Sequence, residues 1–556
     1  MNSADADYVE PPAVPGASEE WPEETAVMSS DPVTDERFGS ESNAPSPSAG
    51  SAAGEEHTYG QILKSSALVG GSSAISVVMR IVRTKALALL LGPAGFGLFG
   101  LYQSIAGLFQ CIAEMGINSS GVRQIAAAVG SGDAEQIALT TVVLRRTALV
   151  LGTIGAGLLM VLSRQVSALT FGNNQHAAAI CLLSLAVFFQ LVSDGQGALI
   201  QGRRQIFDLA KMGVLGALYG TLISIILVYF LRDRGVVPSL VGAAGMSIIT
   251  SWWYSRKIRV QAPPVTISQV GQEAAALLKL GFAFMAGGAL MPMGIAYVVR
   301  IILLRKAGLE ATGMYQSAWA LGGLYVGFIL QAMGADFYPR LTASASDNTA
   351  CNRLINEQTQ VGLLLAGPGL IATLTFAPVV IALFYSAKFG AAVGILRWVC
   401  LGTALQVVIW PMGFIIIAKA KQAIFFCSQL AWAVASVGLA WIGVGAFGAN
   451  GAGMAFFGSY LFYIFLIYAI ARHLSGLRWS IGNKQTGLVV FSLVVVVFSA
   501  YYVLPAPWVV CLGTLATLLV GAYSIRVLLT LLSWDQMPRP VQRLLVLFRP
   551  ARKDCD

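Results

Sequence analysis

Three arginines stand inside long apolar runs of this sequence: Arg80 and Arg83, with Lys85 just beyond them, and Arg300. A charged side chain in hydrocarbon costs roughly 2.5 to 3.5 kcal/mol on insertion scales, so each needs a partner or a task. Arg80 and Arg83 are three positions apart and share a helix face. Counted from Lys64, Arg80 lies about 24 Å along a helix axis and Arg83 about 29 Å. One reading sends Arg83 and Lys85 to the headgroups by snorkelling and pairs Arg80 with a carboxylate. The sharper reading is a basic wall for an anion, because guanidinium forks match phosphate oxygens in pairs. Arg300, roughly 21 residues beyond Lys279, would bring a second cation from the other half of the chain. Pro292 ahead of it removes a backbone donor and predicts a kink.

Carboxylates in apolar runs are few: Glu114, Asp194 and Asp336, each near the inner side. They either bridge to nearby basic residues or couple the protein to an ion gradient, and the sequence leaves both open. Amides and aromatic faces suit sugars, by hydrogen bonding and stacking. Tyr102, Gln103, Tyr315, Gln316, Trp319, Tyr325, Gln331, Gln406 and Trp410 are candidates, and helix packing or an interfacial belt is the competing explanation for each. The repeated Tyr-Gln-Ser at 102–104 and 315–317 singles out Tyr102, Gln103, Tyr315 and Gln316.

The chain holding these residues is 56% hydrophobic and 11% charged over 556 residues, so lipid must solvate most of it. The net charge of +9 hides an asymmetry: the first 57 residues hold 13 of the 27 acidic residues and one basic residue, Arg37. The remainder carries about +21, distributed between apolar runs, which fits topology and anionic headgroups better than nucleic acid. Seven scattered cysteines and three distant histidines, His57, His176 and His473, predict no metal site, and no cofactor is expected. No GxxxxGK[ST] loop is present, so the chain carries no ATPase of its own.

Apolar stretches long enough to cross a core of about 30 Å recur from Gln61 onward. They run 62–91, 95–117, 143–163, 177–200, 212–231 and 236–254, then 278–304, 313–337, 360–385, 392–417, 423–446 and 450–471, and finally 486–504 and 508–532. The expected fold is an all-α integral membrane protein of about fourteen transmembrane helices. Lys and Arg divide between alternate loops by about 21 to 6, which predicts both termini in the cytoplasm. The Ser, Pro, Ala and acid-rich opening cannot bury enough surface to fold, and no cleaved signal peptide is expected there.

An internal repeat organises the spans. Gly100-Leu101-Tyr102-Gln103-Ser104 matches Gly313-Met314-Tyr315-Gln316-Ser317, each after a Leu-Lys pair, Leu63-Lys64 and Leu278-Lys279. Met115-Gly116 precedes Arg123 as Met333-Gly334 precedes Arg340. The expectation is two parallel six-helix lobes related by a pseudo-two-fold axis along the membrane normal, with two further C-terminal helices. The predicted organisation is an acidic disordered tail at 1–57, a first lobe at 58–254, a cytoplasmic linker at 255–277, a second lobe at 278–472, the last two spans within 473–532, and a basic cytoplasmic tail at 533–556.

Leu91-Gly92-Pro93-Ala94-Gly95-Phe96-Gly97 and Phe337-Tyr338-Pro339-Arg340-Leu341 resemble signatures of polysaccharide transporters in the multidrug/oligosaccharidyl-lipid/polysaccharide exporter superfamily. Phe384-Tyr385-Ser386-Ala387-Lys388-Phe389 and Ile417-Ala418-Lys419-Ala420 look like O-antigen and enterobacterial common antigen translocases. The resemblance spans about residues 60–475. It implies a V-shaped pair of lobes in a bacterial inner membrane. They would flip an undecaprenyl-diphosphate-linked oligosaccharide, an O-antigen or exopolysaccharide unit, from the cytoplasmic to the periplasmic leaflet by alternating access. It places the diphosphate at Arg80 or Arg83 and Arg300, and suggests a polysaccharide polymerase and a chain-length regulator as partners. The competing functions are an ion-coupled drug or cation antiporter of the same superfamily, which would favour cavity carboxylates, and a membrane-embedded polymerase, which would need a sizeable extramembrane loop.

Overall fold

The computed structural model describes residues 50–258, 271–275, 277–279 and 288–531, with side chains from residue 71 onward. The acidic tail up to residue 49, much of the predicted linker and the basic C-terminal tail lie outside them. By internal contacts the chain separates into Met1–Gly60 and Gln61–Asp556, and the second unit holds the cavities and every side chain described below. Residues 50–57, assigned to the tail by composition, are helical.

The elements are α1 (Gly50–Glu114), α2 (Ile117–Ser131), α3 (Ala134–Val161), α4 (Ser163–Phe171), α5 (Ala177–Gly202), α6 (Ile206–Leu231) and α7 (Val236–Ser255). There follow α8 (Leu290–Ala343), α9 (Asn348–Thr375), α10 (Ala377–Phe384), α11 (Ala392–Ala418), α12 (Gln422–Phe447), α13 (Ala449–Ser475), α14 (Ile481–Val503) and α15 (Ala506–Leu531). Among the described residues no strand occurs. Among the described residues eight helical stretches are long and apolar enough to cross a membrane, or up to ten if each bent pair is one span. One of the eight, Ile206–Ser255, turns at Arg232–Gly235, and its halves α6 and α7 pack side by side. Apolar side chains such as Phe230, Phe465 and Leu518 face outward, as a lipid solvent requires.

Local chemistry sets the helix ends. Asp133 caps α3 by accepting from the Glu135 and Gln136 amides, and Asp347 caps α9 by accepting from Thr349 and Ala350. Both capped helices run 28 residues and are followed by a short second helix, α4 and α10 respectively. Gly92 breaks α1 at φ 65°, and Gly308 breaks α8 at φ 88°, a region that favours glycine. Left-handed residues then recur in pairs, Arg204 with Ala420 and Arg232 with Gly448, each pair separated by the same 216 positions as Gly92 and Gly308. That spacing sets Gly97, not Gly100, opposite Gly313. The pentapeptide match is therefore three residues out of register, because it follows a shared Tyr-Gln-Ser instead of the backbone.

Helices α3, α5, α6 and α7 pack on one another, as do α8, α9, α11, α12 and α13, while α14 and α15 lean on α9. Pro292 falls in the first turn of α8 as described, and the break inside that helix is at Gly308; the segment just before Gly288, where a kink at Pro292 would show, lies outside the described residues. One cavity lies between α1, α5, α6, α7 and α8, and a second lies among α8, α11, α12 and α13 beside Val77 and Arg80 of α1.

Candidate functional site

The two segments of α1 around Gly92 carry Arg80 and Arg83 on one side and Gln103 on the other, and α8 carries Arg300 and Gln316 on either side of Gly308. These five side chains line one cavity of about 670 Å³, with Gln110, Gln190 and Trp319 among its other walls. Arg300 is buried, and its Nε donates to Gln316 Oε1 at 2.8 Å while Nη1 donates to the Ala296 carbonyl at 2.7 Å. Its guanidinium lies 5.0 Å from the Trp319 ring centroid, a cation-π distance. Arg83 Nε is buried without a hydrogen-bond partner. A guanidinium left short of acceptors at a cavity wall is a receptor for an oxyanion, since each N–H demands an oxygen.

A second cavity of about 500 Å³ shares Arg80, Ala296 and Trp319 with the first and is otherwise aromatic and small-residue in character. Tyr315, Gln331, Gln406, Trp432 and Tyr460 line it. No Asp or Glu lines either cavity among the described residues. The pair is cationic on one side and aromatic on the other.

Tyr102 belongs to neither cavity. It is 2% exposed, and its hydroxyl bonds His176 Nδ1 at 2.8 Å across to the start of α5. His176 stacks on Phe171 with centroids 3.9 Å apart, and its burial lowers the imidazole pKa below the ordinary value. Tyr325 donates to the Leu365 carbonyl at 2.7 Å, and Trp410 packs on Phe337 and Phe414, so both serve helix packing. Lys85 lines neither cavity.

The three carboxylates part company. Asp336 is exposed and pairs with Arg340 at 3.0 Å, one helical turn away on the surface. Asp194 has no cation among its described partners; its two oxygens accept from Gln110 Nε2 at 2.8 Å and Gln190 Nε2 at 2.9 Å. Glu114 is half-buried at the end of α1, close enough to Asp194 to interact electrostatically. Because a carboxylate only accepts, Asp194 fixes both amide groups toward itself. Sequence reasoning missed Gln110 and Gln190, although Gln110 follows Gln103 by seven residues and shares its helix face.

Helices α4 and α8 touch one another. Thr170 Oγ1 and Tyr297 OH share a hydrogen bond of 2.5 Å, and Arg305 Nη2 donates to the Ala168 carbonyl at 3.2 Å and also to that of Leu169. The backbones at Gly97 and Gly313 touch nearby, with Leu309 O against Gly97 and Pro93 O against Gly313.

The sequence profile of the polysaccharide biosynthesis protein family matches residues 86–394. The lipid III flippase of Escherichia coli (strain K12) is 23% identical over 413 residues, covering 73% of this chain and 97% of the relative. Among solved structures, lipid II flippase MurJ in an inward closed conformation matches with TM-score 0.60 at 14% identity, over 83% of this chain and 99% of that one. An inward-facing multidrug resistance MATE family transporter of the MOP superfamily matches with TM-score 0.59 at 16% identity, over 74% and 96%. The fold is therefore the one that these two solved structures share, and the chain belongs to the polysaccharide biosynthesis protein family.

Proposed function

We propose that this multi-pass membrane protein flips an undecaprenyl-diphosphate-linked oligosaccharide from the cytoplasmic to the periplasmic leaflet of a bacterial inner membrane. It acts as a transporter and not as an enzyme. The observation that carries the reading is the cavity wall of Arg80, Arg83 and Arg300 without any lining carboxylate. A diphosphate headgroup cannot cross hydrocarbon with its charge unmet, and a guanidinium wall replaces the water it loses. The curated relatives, named as lipid III flippases, support the same class of cargo.

Alternating access needs two bodies and a closed side. The recurring left-handed positions 216 residues apart and the matching caps at Asp133 and Asp347 support two six-helix lobes, with α14 and α15 as the thirteenth and fourteenth spans. The contacts Thr170–Tyr297 and Arg305–Leu169 then form the seal on the periplasmic side, both termini being cytoplasmic. Asp194, the half-buried carboxylate with no cation among its described partners, is the group through which an ion gradient would act.

The fold is equally that of a multidrug resistance transporter, which favours an antiporter as the second reading. Cavities lined by arginine and lacking carboxylate repel cationic drugs, so the anionic lipid is preferred. Leaflet-resolved flipping of an undecaprenyl-diphosphate oligosaccharide in proteoliposomes, run beside efflux of an organic cation, separates the two. Lipid flipping without cation efflux is expected; cation efflux without lipid flipping overturns the reading.

A further inference from the structure

The aromatic cavity has a feature that lipid phosphate does not explain. Trp432 and Ser436 sit four residues apart on α12, hence on one helix face, and both line the cavity. Trp432 Nε1 and Ser436 Oγ are both buried, and neither has a hydrogen-bond partner. The Trp432 ring is backed by Tyr463, stacked with centroids 5.4 Å apart, and Tyr463 is itself held by donating to Gln429 Oε1 at 2.9 Å. Tyr460, which also lines the cavity, has its ring centroid 5.4 Å from that of Trp432, in a tilted arrangement. Two orphaned polar groups beside aromatic faces are costly for a protein to keep unless something pairs with them.

We propose that this corner is a sugar subsite, in which one pyranose ring of the cargo lies against Trp432 and Tyr460. Its hydroxyl or acetamido oxygen accepts from Trp432 Nε1, and Ser436 Oγ pairs with a neighbouring hydroxyl. On binding, the indole and the serine hydroxyl turn so that both groups meet the sugar. The chemistry selects the ligand. A pyranose has an apolar face for stacking and a rim of hydroxyls, whereas an isoprenoid chain stacks but leaves both polar atoms unpaired. An aromatic cation would meet Arg80 at the shared wall and no carboxylate. That shared wall, Arg80 with Trp319, joins the subsite to the arginine cavity, so the diphosphate and the adjoining sugar of one molecule occupy the two cavities together. The inference rests on the flippase reading and adds where the glycan is held.

The test measures binding of two probes to the full chain in detergent: undecaprenyl diphosphate, and undecaprenyl diphosphate bearing one N-acetylglucosamine, N-acetylgalactosamine or galactose. The intact protein is expected to prefer at least one sugar-bearing probe by about tenfold. The double variant Trp432→Phe, Ser436→Ala, which keeps the ring and the fold, should lose that preference while binding the bare lipid within about twofold. Trp432→Phe alone should retain part of the preference. If the double variant weakens both probes equally, the corner holds the isoprenoid or is structural, and the proposal is overturned. It is overturned as well if no sugar raises affinity, or if the preference survives the double variant. Failure of the intact protein to bind even the bare lipid would instead sink the flippase reading itself.

Discussion

Gly97 and Gly313 meet backbone to backbone: a Cβ on Gly97 would lie 2.8 Å from the Gly313 nitrogen, and one on Gly313 would lie 3.0 Å from the Gly97 nitrogen. The two sit at equivalent distances past the breaks at Gly92 and Gly308, so one close approach is built twice, once from each half. Atoms crowded this way are main chain and have no rotamer to yield. Gly313→Ala should therefore cost about 1–3 kcal/mol. Gly438→Ala, at a helical position with nothing within 4 Å, should be neutral or slightly stabilising. Thermal unfolding of the purified protein with both variants checks the contrast; equal midpoints would mean the contact is not part of the resting state.

Asp194 is expected to matter for coupling, where Asp336 is not. Replacing Asp194 with Ala strands the Gln110 and Gln190 amides at a cost of about 1–3 kcal/mol, whereas Asn keeps the shape and removes the titrating charge. Flipping by the intact protein should respond to an imposed pH or sodium gradient, and Asp194→Asn should abolish the response. A full response in that variant would remove Asp194 from the coupling path.

Asp336→Asn should leave both flipping and stability nearly unchanged, within about 0.5 kcal/mol, because its pairing with Arg340 is a solvent-exposed contact one turn apart. A large loss would place Asp336 in the transport path after all.

Tyr102→Phe removes the hydroxyl that bonds His176 and should lower stability by about 1 kcal/mol without changing the preference among lipid probes. Burial lowers the His176 pKa, so the folded protein holds the ring neutral where the unfolded chain would protonate it. Stability from this site is therefore present above the ordinary value of about 6.5 and declines as pH falls below it. Melting curves at pH 7.5 and 5.5, compared with His176→Gln, report the difference; a variant with the same pH dependence as the intact protein would rule the site out.

The arginine wall was legible in the sequence because charge in an apolar run is costly, and Arg80, Arg83 and Arg300 do line one cavity with Gln103 and Gln316. Tyr102 was misplaced for an identifiable reason. Residue identity aligned it with Tyr315, while the backbone register, fixed by Gly92 and Gly308, is three positions away, close to one helical turn. Trp432 and Tyr460 gave no signal, since an aromatic in an apolar helix looks like packing until its neighbours are known. Gln110 and Gln190 became visible only once α1 and α5 were brought together around Asp194.

The most direct measurement is leaflet-resolved flipping of an undecaprenyl-diphosphate oligosaccharide in proteoliposomes containing the intact protein, Arg80→Ala, Arg83→Ala, Arg300→Ala or the Asp336→Asn control. Losing one charge-assisted contact worth about 1.5–3 kcal/mol should slow flipping roughly ten- to a hundredfold in each arginine variant, with the control unaffected. Arginine variants that stay folded and flip at the intact rate would contradict the account.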